Sequence, residues 1–168
     1  MTKRQWACWA AGVTAIVTVL TGVALATPGS DVVGTILARS GFADQVDIMF
    51  RLAGQGPGRE VLQVRDGQDT VIQQIVFNSG GQTGWHSHPG PALVLVTEGE
   101  LTIYSSEDQT CSGRTYSAGQ AFIDPGQGHV HIGRASQTQT TTLWVTYFDV
   151  PPGSGVRIDA ADPGVCAF

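Results

Sequence analysis

The chain has 168 residues and a formal net charge of −5, the length of one domain at roughly 150 residues per domain. Charged residues make up only 14% of it and glycine 22 positions, against about 25% charged and ~7% glycine in an ordinary soluble protein, which points to many turns. The apolar fraction of 42% is enough for a buried core, and the scattered charges form no basic patch for a phosphate backbone, which argues against nucleic acid as a partner.

At the N-terminus, Lys3 and Arg4 precede an apolar stretch from Trp6 to Ala26 that ends in Ala24-Leu25-Ala26 and is followed by Thr27-Pro28-Gly29-Ser30. Basic residues, an apolar helical segment and small residues at 24 and 26 are the layout of a secretory signal helix, cleaved after Ala26. The alternative is a membrane anchor through residues 6–26, since about 20 apolar residues span a bilayer, but five Gly and Thr residues interrupt the run. The expected location is therefore secreted, periplasmic or in the cell envelope, with membrane attachment only if the segment is retained.

Without residues 1–26 the chain has 142 residues and no lysine, so Schiff-base chemistry through lysine is excluded. Seven arginines then face fourteen acids, a net charge of −7. Cys8 leaves with the signal, and Cys111 and Cys166 remain as a pair that an oxidising compartment would join in a disulfide.

Residues 27–45 read as an N-terminal arm of mixed character, 46–150 as a β-barrel, and 151–168 as a tail that begins at Pro151-Pro152-Gly153 and is tied back by the disulfide. Helical signals are weak throughout. Strands are predicted over 46–52, 61–64, 71–77, 92–97, 101–104, 121–124, 129–132 and 140–150. Gly54 to Gly58, Asp66-Gly67, Asn78-Ser79-Gly80-Gly81, Glu98-Gly99, Ser117-Ala118-Gly119 and Pro125-Gly126-Gln127-Gly128 read as the turns and loops between them. Many short strands with glycine-rich turns indicate an all-β sandwich or barrel.

All four histidines fall in two places, His86 and His88 in Gly84-Trp85-His86-Ser87-His88, and His129 and His131 in Gly128-His129-Val130-His131. Residues two apart on a strand project to one face, so each H-x-H aims two imidazoles into the same space. Imidazole suits zinc, copper, nickel and iron. Trp85, out of phase with His86, should point away from this space. Glu98 next to Gly99 reads as a solvated turn residue and Asp124 before Pro125 as a turn residue. Tyr104, Phe122, Trp144, Tyr147 and Phe148 lie in predicted strands, and some of them should line the barrel interior.

Over residues 60–150 the chain resembles the cupins, small jelly-roll β-barrels with two metal-binding motifs. The first cupin motif runs Gly, five residues, H-x-H, three or four residues, Glu, six residues, Gly; Gly80, His86, His88 and Gly99 stand at those spacings, and Ala92 takes the place of the glutamate. The second runs Gly, five residues, P-x-G, two residues, His, three residues, Asn. Gly119 and Pro125 match, while Gln127 and Val130 stand where Gly and His are expected. A one-residue insertion after Pro125 makes Gly128 and His131 the motif residues, whereas a one-residue deletion makes it His129. The asparagine is absent in either register, its place taken by Ala135 or Gly133.

The resemblance implies a cupin jelly roll that holds a divalent metal (iron, copper, nickel, zinc or manganese) through His86, His88 and His131, with His129 in reserve. Without the glutamate such a site should favour the softer of these ions over manganese. The resemblance further implies a small-molecule ligand or substrate, dioxygenase-like chemistry among the activities of three-histidine cupins, and a homodimer. The alternative is a ligand-binding or structural barrel of the cell envelope without turnover.

Overall fold

A computed structural model describes residues 26–53 and 59–168. The segment read as a signal helix, up to residue 25, and the Gly54 to Gly58 loop lie outside the described residues. Among the described residues no helix is long and apolar enough to cross a membrane.

The chain forms β1 (Ser30–Ser40), β2 (Ile48–Ala53), β3 (Arg59–Val64), β4 (Asp69–Gln82), β5 (His86–Ser87), β6 (Ala92–Glu98), β7 (Glu100–Ser105), β8 (Arg114–Ser117), β9 (Ala121–Asp124), β10 (His131–Ala135), β11 (Thr141–Val150) and β12 (Ile158–Asp159). Ten of these strands make one antiparallel sheet, ordered β12-β5-β10-β4-β11-β6-β9, with β1 added to β4 and β7 bridging β10 and β8. This sheet curls into a nearly closed barrel. β2 and β3 pair with each other in a separate hairpin.

Period-two burial sets the interior. On β6, Ala92, Val94 and Val96 are buried while Leu95 is 38% exposed; on β11, Thr141, Leu143, Val145 and Tyr147 are buried while Trp144 is 43% exposed. Together with Val71 and Phe77 of β4 and Leu101 of β7 these side chains form the core. Burial of a residue such as Phe77, with no exposed surface, contributes about 2 to 3 kcal/mol from removal of apolar area alone.

The longest strand missed by the sequence reading, β1, is one that buries little. β1 lies in the segment read as an arm, yet its backbone pairs with β4 from Ser30↔Gln82 to Ser40↔Thr70. Val33, Ile36 and Leu37 of β1 remain 65%, 52% and 46% exposed, so its sequence carries no one-sided pattern. Arg39 fastens it, with Nε 2.6 Å from Asp69 Oδ2 and its other nitrogens donating to the carbonyls of Ser154 and Pro151 at 2.6 and 2.7 Å.

The Asn78-Ser79-Gly80-Gly81 cluster is no chain reversal. β4 runs through it because Gln82 still pairs with Ser30 on one side and with Arg134 on the other. Gly80 absorbs the irregularity at φ +77°, a value open to glycine without steric cost, and its N–H donates to Ser136 O at 2.8 Å.

The C-terminal tail returns to the barrel. Cys111 and Cys166 form a disulfide with a Cα–Cα distance of 5.3 Å. β12 pairs with β5, Ile158 opposite Ser87 and Asp159 opposite His86.

Candidate metal centre

β5 and β10 lie side by side with His86 directly opposite His131. His88 follows β5 by one residue, on the same side as His86, so the period-two rule holds across Gly84 to His88. One nitrogen from each of His86, His88 and His131 lies within 4.8 Å of the other two. The ring centroids are 4.4 to 5.2 Å apart. All three side chains are about 95% buried, at 5%, 5% and 4% exposure.

Backbone carbonyls fix the tautomers of two of the rings. His86 Nδ1 lies 2.9 Å from Gly84 O and His88 Nδ1 lies 2.6 Å from Val156 O. A carbonyl only accepts, so each Nδ1 carries the proton and each Nε2 keeps a bare lone pair, the arrangement of a metal-ligating histidine held by its outer partner. Burial, with repulsion from the neighbouring rings, pushes the His86 pKa far below its ordinary value. Burial also lowers His88 and His131 to about 4. The rings are therefore neutral at pH 7, the state in which imidazole ligates.

His131 meets acceptors on both nitrogens: Nδ1 lies 3.4 Å from His129 O and Nε2 lies 3.1 Å from Asp124 Oδ2. A neutral imidazole has one ring proton and serves only one of them. A proton on Asp124 or a cation beside Nε2 satisfies both acceptors, and the three buried, neutral imidazoles, with one nitrogen of each within 4.8 Å of the others, form a donor set that fits a divalent metal.

His129 does not join the cluster. Gly126, Gln127 and Gly128 have φ of 59°, 52° and 89°, and this left-handed run accommodates the extra residue after Pro125. The chain becomes extended only at His131, so the rule that places residues two apart on one face does not extend back to His129. Its ring is 25% exposed and lies 3.8 Å from Glu107 Oε1.

Asp124 differs from its sequence reading. One oxygen does serve the turn, accepting from Gly126 N–H at 2.8 Å, but the side chain is 4% exposed and faces the histidines. Burial raises its pKa. The signal was available in the alternation of β9, because Phe122 and Asp124 fall on one face and both line the interior cavity.

That cavity, of about 40 Å³, is bounded by the three histidines, Asp124 and Tyr147 among others. A wider one of about 300 Å³ shares His86, His88 and Tyr147 with it and is walled by Val32 of β1, Gln73 of β4 and Arg157 of the tail. A third, of about 380 Å³, opens on the other side of Asp124, beside His129. Tyr147 packs 5.0 Å from His88 and donates to Gln73 Oε1 at 3.0 Å. Burial raises its pKa, so the phenol stays protonated.

Of the other aromatic candidates, Phe122 lines the interior, Trp144 faces outward, Phe148 packs on Phe50 and Tyr104 on Phe168. Trp85 is 2% exposed. Its backbone N–H donates to Thr27 Oγ1 at 2.7 Å and its carbonyl accepts from Ala160 N–H at 3.0 Å, so both terminal segments hold it. Glu98 is exposed at the end of β6 and accepts from Thr142 Oγ1 at 3.0 Å.

No family model matches the chain, and no curated protein matches it. Several solved structures are similar to it. A polyketide cyclase from Streptomyces resistomycificus is 19% identical with a TM-score of 0.45, over 54% of this chain and 60% of that one. A cupin-like protein from Thermotoga maritima is 23% identical with a TM-score of 0.45, over 55% of this chain and 65% of that one. A cupin domain from Bordetella pertussis is 15% identical with a TM-score of 0.46, over 74% of this chain and 97% of that one. The match thus spans less than two thirds of the first two proteins. The described residues form an all-β, nearly closed antiparallel barrel.

Proposed function

We propose that this chain is a secreted cupin-type protein that holds one divalent metal through His86, His88 and His131 and acts on a small organic molecule in the adjoining cavity, with dioxygenase-like chemistry. The observation that carries this reading is the convergence of three buried, neutral imidazoles, two of which, His86 and His88, also line a 300 Å³ cavity. A divalent metal held there supplies a Lewis-acidic centre, redox-active if it is iron or copper, with coordination positions left open for substrate.

The chain's own groups fit the rest of the task. Carbonyls of Gly84 and Val156 hold the His86 and His88 rings in their ligating tautomers. Tyr147, kept protonated, and the Gln73 amide offer polar contacts along the cavity wall, and Arg157 lies at its edge. Ile75, Phe77, Val94 and Leu143 keep the inner side of the site apolar and exclude water. Secretion is supported by the Cys111–Cys166 disulfide, which persists in an oxidising compartment, and by the Lys3 to Ala26 segment.

The absence of the cupin glutamate and asparagine, with Ala92 at one place and Ala135 or Gly133 at the other, favours a second reading, a ligand-binding barrel without turnover. Oxygen uptake by the iron(II)-loaded protein, measured against a panel of small organic acids, phenols and thiols, separates the two. Uptake that needs one of these compounds and disappears in His86→Ala supports the enzyme. Binding of a compound with no uptake under any metal replaces the enzyme with the binding barrel.

A further inference from the structure

β6 and β9 are antiparallel neighbours in which Ala92 stands directly opposite Asp124. Ala92 is the position at which the first motif lacks its carboxylate, and its methyl group is fully buried. Directly opposed residues on an antiparallel pair have Cβ atoms about 5 Å apart, so a carboxylate at 124 reaches much of the space that one at 92 would fill. Alternation along β9 turns Asp124 inward with Phe122.

We propose that Asp124 is a fourth ligand of the metal held by His86, His88 and His131, making the centre a three-histidine, one-carboxylate site suited to the harder divalent ions manganese(II) and iron(II). This rests on the metal-binding reading above. Three observations support it. Asp124 Oδ2 lies 3.1 Å from His131 Nε2, and two ligand atoms each ~2.1 Å from an ion and at right angles are separated by about 3.0 Å. The other oxygen is engaged by Gly126 N–H, which fixes the side chain with Oδ2 toward His131. Finally, the carboxylate is 96% buried by its 4% exposure, and among the described residues no arginine or lysine forms an ion pair with it. A buried carboxylate without a cation is costly, and a divalent ion at this point satisfies it together with the lone pair of His131.

The inference reverses the metal preference expected from the sequence. With Ala92 alone considered, the site is neutral and favours softer ions; with Asp124 included it carries a charged oxygen donor, which favours manganese(II) and iron(II) relative to a purely histidine site.

The test is titration of the metal-free, tag-free protein with manganese(II) and separately with zinc(II), comparing the parent with Asp124→Asn and His131→Ala and checking each fold by circular dichroism. One equivalent of manganese(II) in the parent, weakened about 100-fold or more in Asp124→Asn while zinc(II) weakens much less, is the expected result. Unchanged manganese(II) affinity in a folded Asp124→Asn, with binding lost in His131→Ala, overturns the fourth ligand and leaves the three-histidine site intact. A parent that binds neither metal overturns the metal-binding reading itself. Should Asp124→Asn fail to fold, infrared difference spectra of the parent labelled with carboxyl-¹³C aspartate decide the matter: manganese(II) shifts an aspartate carboxylate band if Asp124 ligates, and the lack of any such shift overturns the proposal.

Discussion

His88 Nδ1 lies 2.6 Å from the carbonyl oxygen of Val156, which ties one member of the histidine cluster to the C-terminal tail. The tail also pairs through β12 with β5, the strand that carries His86, and its end is joined to Cys111 by the disulfide across 55 residues. A closure of that length stabilises by about 4 kcal/mol on chain-entropy grounds. The Cys111→Ser, Cys166→Ser double variant should lose stability by up to that amount and bind metal roughly tenfold more weakly, since an outer partner of His88 is loosened. Denaturant midpoints and metal titration check both; parent values for both would detach the tail from the site.

Replacement of His86 or His88 by alanine should cost metal affinity by more than about 100-fold while the barrel stays folded. Neither ring belongs to the apolar core built from Val71, Phe77, Leu143 and their neighbours. Metal retention at parental affinity in both folded variants would contradict the assignment of the ligands.

The stability of the metal-free protein should fall between neutral and acid pH. In the unfolded chain histidine takes up its proton near 6.5, whereas burial delays His88 and His131 until about 4 and His86 further still. Between those values the unfolded state binds more protons, so stability rises with pH across about 4 to 6.5 and is complete above it. Asp124 acts in the opposite sense, because its raised pKa lets the folded state hold a proton that the unfolded state has released; one such group is outnumbered by three histidines. Urea unfolding at pH 7.5 and pH 4.5 checks the order, and a higher midpoint at pH 4.5 would contradict it.

The turn that sets Asp124 and His131 depends on Gly126. A Cβ there would lie 1.9 Å from Gly90 O, at φ +59°. At Gly128, φ +89°, a Cβ would meet nothing within 4 Å. Gly126→Ala should therefore destabilise by about 2 kcal/mol or more and Gly128→Ala by only about 1, both from left-handed strain and the first also from the clash. Thermal denaturation of the two variants gives the comparison; equal losses would remove the steric role of Gly126.

The barrel was legible because its inner strands alternate. Val94 and Val96 on β6, and Leu143, Val145 and Tyr147 on β11, are a one-face pattern visible in the residues alone. β1 was not, since backbone pairing to β4 and the Arg39 contacts hold it while its apolar side chains stay exposed. The histidine pairs were legible for the same reason as the strands, and His129 parted from His131 where three consecutive left-handed residues suspend the alternation. Asp124 was hidden by the proline after it. Asp-Pro reads as a turn, and the β9 alternation that puts Asp124 on the same face as Phe122 becomes decisive once β9 is paired with β6.

The most direct measurement is the metal content of the tag-free protein after reconstitution in turn with manganese, iron(II), nickel, copper and zinc, alongside His86→Ala. About one equivalent per chain for at least one of these ions, absent from the variant, is the expected result. A folded parent that takes up none of them would contradict a metal centre at His86, His88 and His131.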